Sequence, residues 1–269
     1  MKMKITILVL FALVFCSCSS SYVQIFETSS KNGLIKNETN YIYENDSVKI
    51  TYSFWEDKGK MSFVVYNKLK KPLYIDWKKS SYISNTLKIN YWEDVTTTNS
   101  VETRQTFGAA NNLLSIRKYY ISNSIGVSSS ASSKPERITF IPPNSNYYRT
   151  QFSLLPIREL KVKDYQTIQK QSITNKSKTV KVFEKSISKE DSPLIFRNFI
   201  TLSYNENFTN EFYVDNEFYV SKVLKVTSDE FENMARKENS SFVQRDENGR
   251  LIKISPYKDE KTFYIRIKQ

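Results

Sequence analysis

Apolar and polar residues alternate with a period of two between positions 47 and 54. One side of the extended chain is apolar and the other polar: Val48, Ile50, Tyr52 and Phe54 oppose Ser47, Lys49, Thr51 and Ser53. Such alternation predicts a β-strand with one buried face. A turn-forming stretch over 55–60 leads into a second alternating run over 61–67, so the two runs together predict a β-hairpin.

Further short alternating segments follow along the chain, separated by polar turns. They predict strands at 73–77, 82–83, 87–92, 136–141 (fenced by prolines), 147–155, 179–183, 196–204, 211–214, 218–226 and 262–267. Close spacing of short strands, with little helical periodicity between them, is typical of sandwich folds. The sequence therefore predicts a mainly β protein, an antiparallel β-sandwich of immunoglobulin-like or similar type.

Four other segments carry weaker or different signals. Residues 157–178 have no clear period, and a surface helix or an irregular crossover is predicted around 163–170. The stretch 94–117 is polar and threonine-rich, without a predicted element, and the low-complexity run 128–133 predicts a surface loop. Residues 246–250 predict a hairpin turn between two short apolar pairs.

One short helix is predicted near the C-terminus, over 229–237. Ser228 precedes it and can cap its first turn. Asp229, Glu230 and Glu232 place negative charge at the positive end of the helix dipole.

The start of the chain has the composition of an export signal. Lys2 and Lys4 precede an apolar stretch over 5–15 that is interrupted only by Thr6, and a run of Cys and Ser follows. An apolar stretch of about eleven residues is too short to span a bilayer permanently, so it favours a cleaved signal peptide.

The end of this segment, Cys16-Ser17-Cys18-Ser19, resembles the lipobox of bacterial lipoproteins. In that family a cysteine after a small residue is acylated and becomes the mature N-terminus. Cys18 follows Ser17, whereas Cys16 follows the bulky Phe15, so Cys18 is the expected lipidation site. Phe15 stands where the family usually has leucine.

The resemblance implies attachment to a membrane through a covalent lipid on Cys18, with no other cofactor. Multiple acyl chains, as the resembled lipoproteins have, bind a bilayer durably. No aspartate follows Cys18 and no acidic run comes after it. Within the resembled family this favours the outer membrane, with the protein facing the periplasm.

Three parts of the chain follow from this interpretation. Residues 1–17 are a cleaved signal peptide, and 18–40, rich in Ser, Asn and Lys, form a lipid-anchored flexible tether in which the weakly alternating residues 22–28 could form one strand. Residues 41–269 form a single β-rich domain. A chain of about 250 residues can bury a sufficient core without disulfides, and Cys18 would be the only thiol left after cleavage.

The residue types that are missing exclude several kinds of chemistry. Histidine is absent, which removes the commonest general base, the His-dependent nucleophile triads and the commonest zinc ligand. Neighbouring carboxylates fall at predicted turns, where they are usually solvated: Glu56-Asp57, Glu93-Asp94, Glu190-Asp191 and Asp259-Glu260. We therefore expect neither catalytic activity nor a metal site.

The chain is basic, with a formal charge of +12. Removing residues 1–17 takes away two lysines and leaves 38 basic against 28 acidic residues, or +10. A basic balance favours anionic lipids, polyanionic glycans or nucleic acid as partners. The lysines are dispersed, with one tight group at 68, 70, 71, 78 and 79 that is interpreted as a solvated surface, and an exported protein seldom meets a genome. We expect no nucleic-acid binding.

Aromatic residues supply the candidate ligand contact. Trp77 shares a strand face with Leu73 and Ile75, which predicts burial, whereas Trp92 lies opposite Leu87, Ile89 and Tyr91 and is predicted to point outward. An outward Trp92 could stack on a sugar, although packing at a sheet edge is the plainer interpretation. In doublets such as Tyr147-Tyr148, one ring is predicted to be buried and the other exposed, because adjacent strand residues face opposite ways.

The sequence therefore predicts a lipid-anchored cell-envelope protein that is a non-catalytic binding or structural module, with an envelope glycan or protein as its partner. The alternative is a glycan-binding or glycan-active envelope lipoprotein. A pilus-type subunit is less favoured. Such subunits mature after an arginine near the N-terminus, whereas the first arginine here is Arg104.

Overall fold

The computed structural model describes residues 21–31, 34–36, 40–94, 101–110, 118–127, 135–172, 177–232, 243–245, 251–253 and 257–267. Within them the chain is mainly β, as predicted. The strands are β1 (Tyr22–Ser30), β2 (Ile35–Lys36), β3 (Tyr41–Glu44), β4 (Val48–Ser53), β5 (Lys60–Asn67), β6 (Leu73–Asp76), β7 (Ser81–Ser84), β8 (Leu87–Asn90), β9 (Val101–Ala110), β10 (Lys118–Val127), β11 (Ile138–Ile141), β12 (Asn146–Ser153), β13 (Gln166–Gln171), β14 (Thr179–Ser186), β15 (Ile195–Ser203), β16 (Glu211–Thr227), β17 (Val243–Arg245), β18 (Leu251–Lys253) and β19 (Thr262–Ile267). One helix, α1 (Ser228–Glu232), follows β16.

A large antiparallel sheet is built along β16, which is 17 residues long. The first half of β16 pairs with β15, and beyond β15 lie β6, β11, β7 and β8. The second half pairs with β1 on one side and β14 on the other. β19 flanks β1, and β13 flanks β14. The strand β16 therefore joins the two ends of this sheet.

A second, small sheet has the order β12-β5-β4-β3-β2. β4 alternates strictly between buried and half-buried residues, so the predicted strand and its hairpin with β5 are confirmed. The main core lies between the two sheets. For example, the rings of Tyr52 from β4 and Phe218 from β16 meet edge to face, with centroids 4.9 Å apart. Two antiparallel sheets over a shared core are the layers of a sandwich.

A smaller core covers the opposite, outer face of the large sheet where β1 begins. Phe231 of α1 packs there with Val23 and Val226. The predicted helix is confirmed in position, but the backbone N–H of Glu230 donates to Thr227 Oγ1 (3.3 Å), so the cap comes from Thr227 rather than Ser228. The predicted helical positions beyond Glu232 lie outside the described residues.

The prediction of a flexible tether over 18–40 is wrong for Tyr22–Ser30. These residues form β1, which lies between β16 and β19. Four consecutive residues of β1 are buried, because one face meets the main core and the other meets the smaller core. Gln24 is tolerated there because its amide exchanges hydrogen bonds of 2.7 and 2.8 Å with the backbone of Leu160.

Other differences have local causes. Residues 166–171 form strand β13 instead of a helix, and that strand is exposed on nearly all positions, which removes any hydrophobic period. The two predicted strands over 211–226 are one strand, because Asn216 in the polar gap is buried and accepts a 2.7 Å hydrogen bond from the Tyr52 hydroxyl. The stretch 94–117 contains β9, which pairs with β10 in a separate hairpin.

The hairpin predicted around 246–250 is supported by antiparallel pairing of β17 with β18. The low-complexity run at 128–133 lies outside the described residues. Among the residues that are described, no helix is long and apolar enough to cross a membrane.

Candidate functional site

Cys18 lies outside the described residues, which begin three positions later at Ser21. The backbone carbonyl of Ser21 accepts a 3.0 Å hydrogen bond from the N–H of Ser228, which extends the pairing of β1 with β16. The described pairing of β1 with β16 therefore reaches to within three residues of the predicted lipidation site.

Trp92 is not the outward-facing residue that its position in the pattern predicts. It is 7 % exposed, and its indole N–H donates to the carbonyl of Pro135 (2.8 Å). β8 ends at Asn90, so the alternation stops there, and both Tyr91 and Trp92 turn into the main core. A buried ring offers no face on which a sugar can stack. The prediction of a ligand contact at Trp92 is therefore wrong.

Trp77 is fully buried, as predicted. Its indole N–H donates to Thr139 Oγ1 (2.8 Å), and the guanidinium of Arg149 lies 3.9 Å from the ring centroid. Arg149 also donates to the carbonyl of Tyr91 (2.9 Å). These contacts make Trp77 a packing residue between the sheets.

Exposed aromatic side chains appear instead on the outer face of the large sheet, at the end where β16 begins. We call Tyr74, Phe140, Phe199 and Tyr213 the distal aromatic face. Phe140 lies opposite Tyr74 in the pairing of β11 with β6, and their centroids are 5.6 Å apart. Tyr213 stacks on Phe199 at 5.3 Å. Phe140 is 50 % exposed and Tyr213 is 68 % exposed.

The charges around the distal aromatic face are largely paired. Lys79 binds Glu211, and Arg197 binds Asp215. Outside these pairs, Lys71 lies 4.6 Å above the ring of Tyr204. Four lysines of the group predicted to form a solvated surface are exposed: Lys70, Lys71, Lys78 and Lys79. The face therefore offers flat rings, fringed by polar and charged groups that can form hydrogen bonds.

A second aromatic group covers the outer face at the other end of β16. We call Trp55, Phe231, Tyr257 and Tyr264 the amino-end cluster. Trp55 stacks on Phe231 at 6.0 Å and lies 4.9 Å from Tyr264. Phe231 is buried, whereas Trp55, Tyr257 and Tyr264 are half-buried. The turn between β4 and β5 brings Trp55 there, because the N–H of Lys58 donates to the carbonyl of Tyr264 (2.6 Å).

Buried tyrosines form the main polar contacts inside the core. Tyr52 donates to Asn216, and Tyr91 donates to Asn198 Oδ1 (2.7 Å). Burial raises the pKa of Tyr52 and Tyr91 well above the usual range and that of Tyr41 to about 12. These hydroxyls stay protonated at neutral pH and act as structural donors.

The four adjacent carboxylate pairs lie outside the strands, as predicted. Glu260 accepts a hydrogen bond from Ser53, and Asp259 binds Lys261. In the described part of the chain, no three or more Asp, Glu, His or Cys residues are grouped in a way that could hold a metal ion.

The sequence pattern missed Phe140, because an alternating strand predicts that its apolar positions are buried. Here Thr139 is buried as the acceptor for Trp77, and Phe140 takes the outer position. Tyr213 could have been found. The rule for adjacent aromatic residues, which the structure confirms for Tyr147 and Tyr148, predicts one exposed ring in Phe212-Tyr213 as well.

Comparison with known proteins gives no further lead: no family model, curated protein or solved structure matches this chain.

Proposed function

We propose that this protein is exported, acylated on Cys18 and held on the periplasmic side of the outer membrane as a non-catalytic binding or structural module. The lipobox-like sequence at Cys16–Ser19 supports the anchor. Ser21, three residues after Cys18, is hydrogen-bonded to Ser228 of the β domain, so that domain would sit directly beside the lipid. A module held in this way can bind an envelope glycan or protein without any chemistry of its own.

Three observations support a binding role over a catalytic one. The chain has no histidine. Burial raises the pKa of the Tyr52 and Tyr91 hydroxyls, so at neutral pH they stay as neutral phenols and the phenolate that could accept a proton is not populated. The exposed aromatic rings lie on a flat sheet face, where a ligand can lie across them.

The anchor is tested by the mass of the mature N-terminal peptide and by fractionation of cells. Acylated Cys18 and recovery with the outer membrane are the expected results. Cys18→Ala should move the protein out of the membrane fraction, while Cys16→Ala should leave it there. An unmodified N-terminal peptide that begins elsewhere would contradict the proposal.

A glycan-binding role is the second candidate, and the distal aromatic face is the observation that favours it. Sugars stack their apolar faces on exposed aromatic rings, and Phe140 and Tyr213 are among the most exposed large side chains described. Arg197 and Asp215 lie beside these rings and can bind hydroxyl groups.

Binding to an array of envelope and other polysaccharides tests the second candidate. We expect Tyr213→Ala and Phe140→Ala to reduce binding at least about fivefold, since the loss of a stacking contact between an aromatic side chain and a nucleobase is worth about 1–3 kcal/mol and we expect a similar loss for a sugar. Tyr148→Ala is the matched control, because Tyr148 is 61 % exposed on the small sheet. Equal loss in all three variants, or no binding by the unaltered protein, would rule this role out.

A further inference from the structure

The distance between the predicted anchor and the fold limits how the protein can lie on a membrane. Three residues separate Cys18 from Ser21, and a fully extended chain of that length reaches at most about 11 Å. Ser21 is fixed by its hydrogen bond with Ser228. The lipid-bearing residue must therefore lie within about 11 Å of the end of the large sheet.

The strand ends at this position are defined by pairing. Tyr22 lies opposite Thr227 of β16 and opposite Ile267 of β19. α1 continues from Thr227 and turns back over the outer face. The amino-end cluster is thus close to the anchor, because Phe231 is only three residues beyond Ser228.

The exposed part of the amino-end cluster has the composition of a membrane–water interface. Trp55, Tyr257 and Tyr264 are half-buried. Tryptophan and tyrosine concentrate at the headgroup level of bilayers, because their rings are apolar and their N–H or O–H groups are polar.

One basic side chain stands beside these rings, and a second lies over Tyr22 at the start of β1. The guanidinium of Arg266 lies 5.6 Å from the ring centroid of Tyr264, and Lys225 Nζ lies 4.9 Å from that of Tyr22. Each cation also has an acidic partner, Glu232 for Arg266 (2.8 Å) and Glu159 for Lys225 (3.4 Å). Attraction to anionic headgroups is therefore weak, and the aromatic side chains provide the main affinity for lipid.

We infer that the amino-end cluster rests on the lipid bilayer, with Trp55 in the headgroup layer. The inference depends on the proposed acylation of Cys18, because the short spacer is what brings the two together. The distal aromatic face then lies at the opposite end of β16 from the membrane contact. Tyr213 and Thr227 are separated by roughly 45 Å along β16, given about 3.3 Å for each strand residue.

Tryptophan fluorescence can test this orientation, because Trp77 and Trp92 are buried and Trp55 is not. The acylated full-length protein is placed in vesicles of phosphatidylethanolamine and phosphatidylglycerol that contain brominated phosphatidylcholine, a quencher within the lipid. We expect the brominated lipid to lower the tryptophan emission of the unaltered protein. In Trp55→Phe it should cause no such loss. Persistence of the full emission in protein that floats with the vesicles would overturn the inference.

Two further variants keep the test independent of folding at Trp55. An insertion of about ten Gly and Ser residues between Ser20 and Ser21 should restore most of the emission, since a flexible linker of that length spans roughly 15–20 Å. Tyr213→Trp combined with Trp55→Phe places a reporter on the distal aromatic face and should show no quenching. Quenching of that reporter would reverse the proposed orientation.

Flotation separates the two proposals. Protein that does not float with the vesicles is not anchored, and both the proposed function and the orientation then fail. Protein that floats without quenching of Trp55 is anchored, and the orientation alone fails.

Discussion

The two ends of β16 both carry aromatic side chains on the outer face of the large sheet, but only one end is covered. At the end where β16 finishes, which carries the amino-end cluster, α1 and the turn between β4 and β5 fold over the sheet and bury Phe231. At the distal end nothing described covers Tyr213, which stacks on a single neighbour, Phe199. Aromatic side chains on one sheet face therefore stabilise the fold at one end and are exposed at the other.

Phe231→Ala should produce the largest difference between the two ends. Phe231 is 2 % exposed and contacts the rings of Trp55 and Tyr264, so its truncation leaves a cavity and should lower the free energy of unfolding by about 3–5 kcal/mol. Tyr213→Ala removes an exposed ring and should lower it by no more than about 1 kcal/mol. Urea unfolding followed by circular dichroism measures both values.

Similar losses in the two variants would mean that the distal aromatic face is also part of the core. Phe231→Leu is the matched control at the amino end. It keeps most of the apolar volume, so its loss should be well below that of Phe231→Ala.

Gly59→Ala should have the second largest effect, because Gly59 shapes the turn that brings Trp55 to the amino-end cluster. Its φ of +68° is in the left-handed region, and an added Cβ would lie 2.8 Å from Cγ of Phe263. Backbone strain and overpacking together should lower stability by about 2–4 kcal/mol. Thermal unfolding measures this, and we expect loss of Trp55 packing in the same variant.

Lys58→Gly is the control for that turn. Lys58 has a φ of 65°, a conformation that glycine adopts without strain. The substitution should leave stability unchanged or raise it slightly. If Gly59→Ala were as stable as Lys58→Gly, the turn would not be what holds the amino-end cluster together.

The sequence predicted the parts of the fold in which one face is buried and the other is not. β4 shows this best, because its apolar residues face the main core and its polar residues do not. The same rule failed for β1, where both faces are covered and the alternation disappears. It failed in the opposite way for β13, where almost every position is exposed.

The candidate site was less predictable, because it depends on which strands become neighbours. Trp92 does not follow the alternating pattern, because β8 ends two residues before it. No local signal in the sequence marks that end. Phe140 and Tyr74 meet only because β11 pairs with β6 across about sixty residues of chain. Pairing between strands so far apart in sequence depends on the arrangement of the whole sheet. The sequence of either strand alone therefore does not predict it.

Alkaline pH should weaken the amino-end cluster through its tyrosines. Burial raises the pKa of Tyr257 from 10.0 to about 12 and also raises that of Tyr264. A raised tyrosine pKa favours the neutral folded form, so its contribution to stability is complete below pH 10 and is lost as the pH rises through about 12. Tyr257→Phe should therefore flatten part of the fall in stability between pH 10 and 12.

The core tyrosines contribute to the same fall, so the comparison must be made between variants. Tyr148→Phe, on the exposed face of the small sheet, should leave the pH dependence unchanged. If stability fell identically with pH in Tyr257→Phe and in the unaltered protein, ionisation of Tyr257 would not destabilise the fold.

Substitutions that break surface ion pairs should have the smallest effect on stability. They distinguish the contribution of charge at the two ends of β16 from that of packing. Glu232→Gln breaks the 2.8 Å pair with Arg266 and should change stability by no more than about 0.5 kcal/mol, since exposed pairs gain little. Asp215→Asn, which breaks the pair with Arg197 at the distal end, should behave alike. Both losses should vanish in 1 M salt, where screening acts within about 3 Å. A loss in Glu232→Gln as large as that in Phe231→Ala would mean that the ion pair, and not the covered rings, distinguishes the amino end.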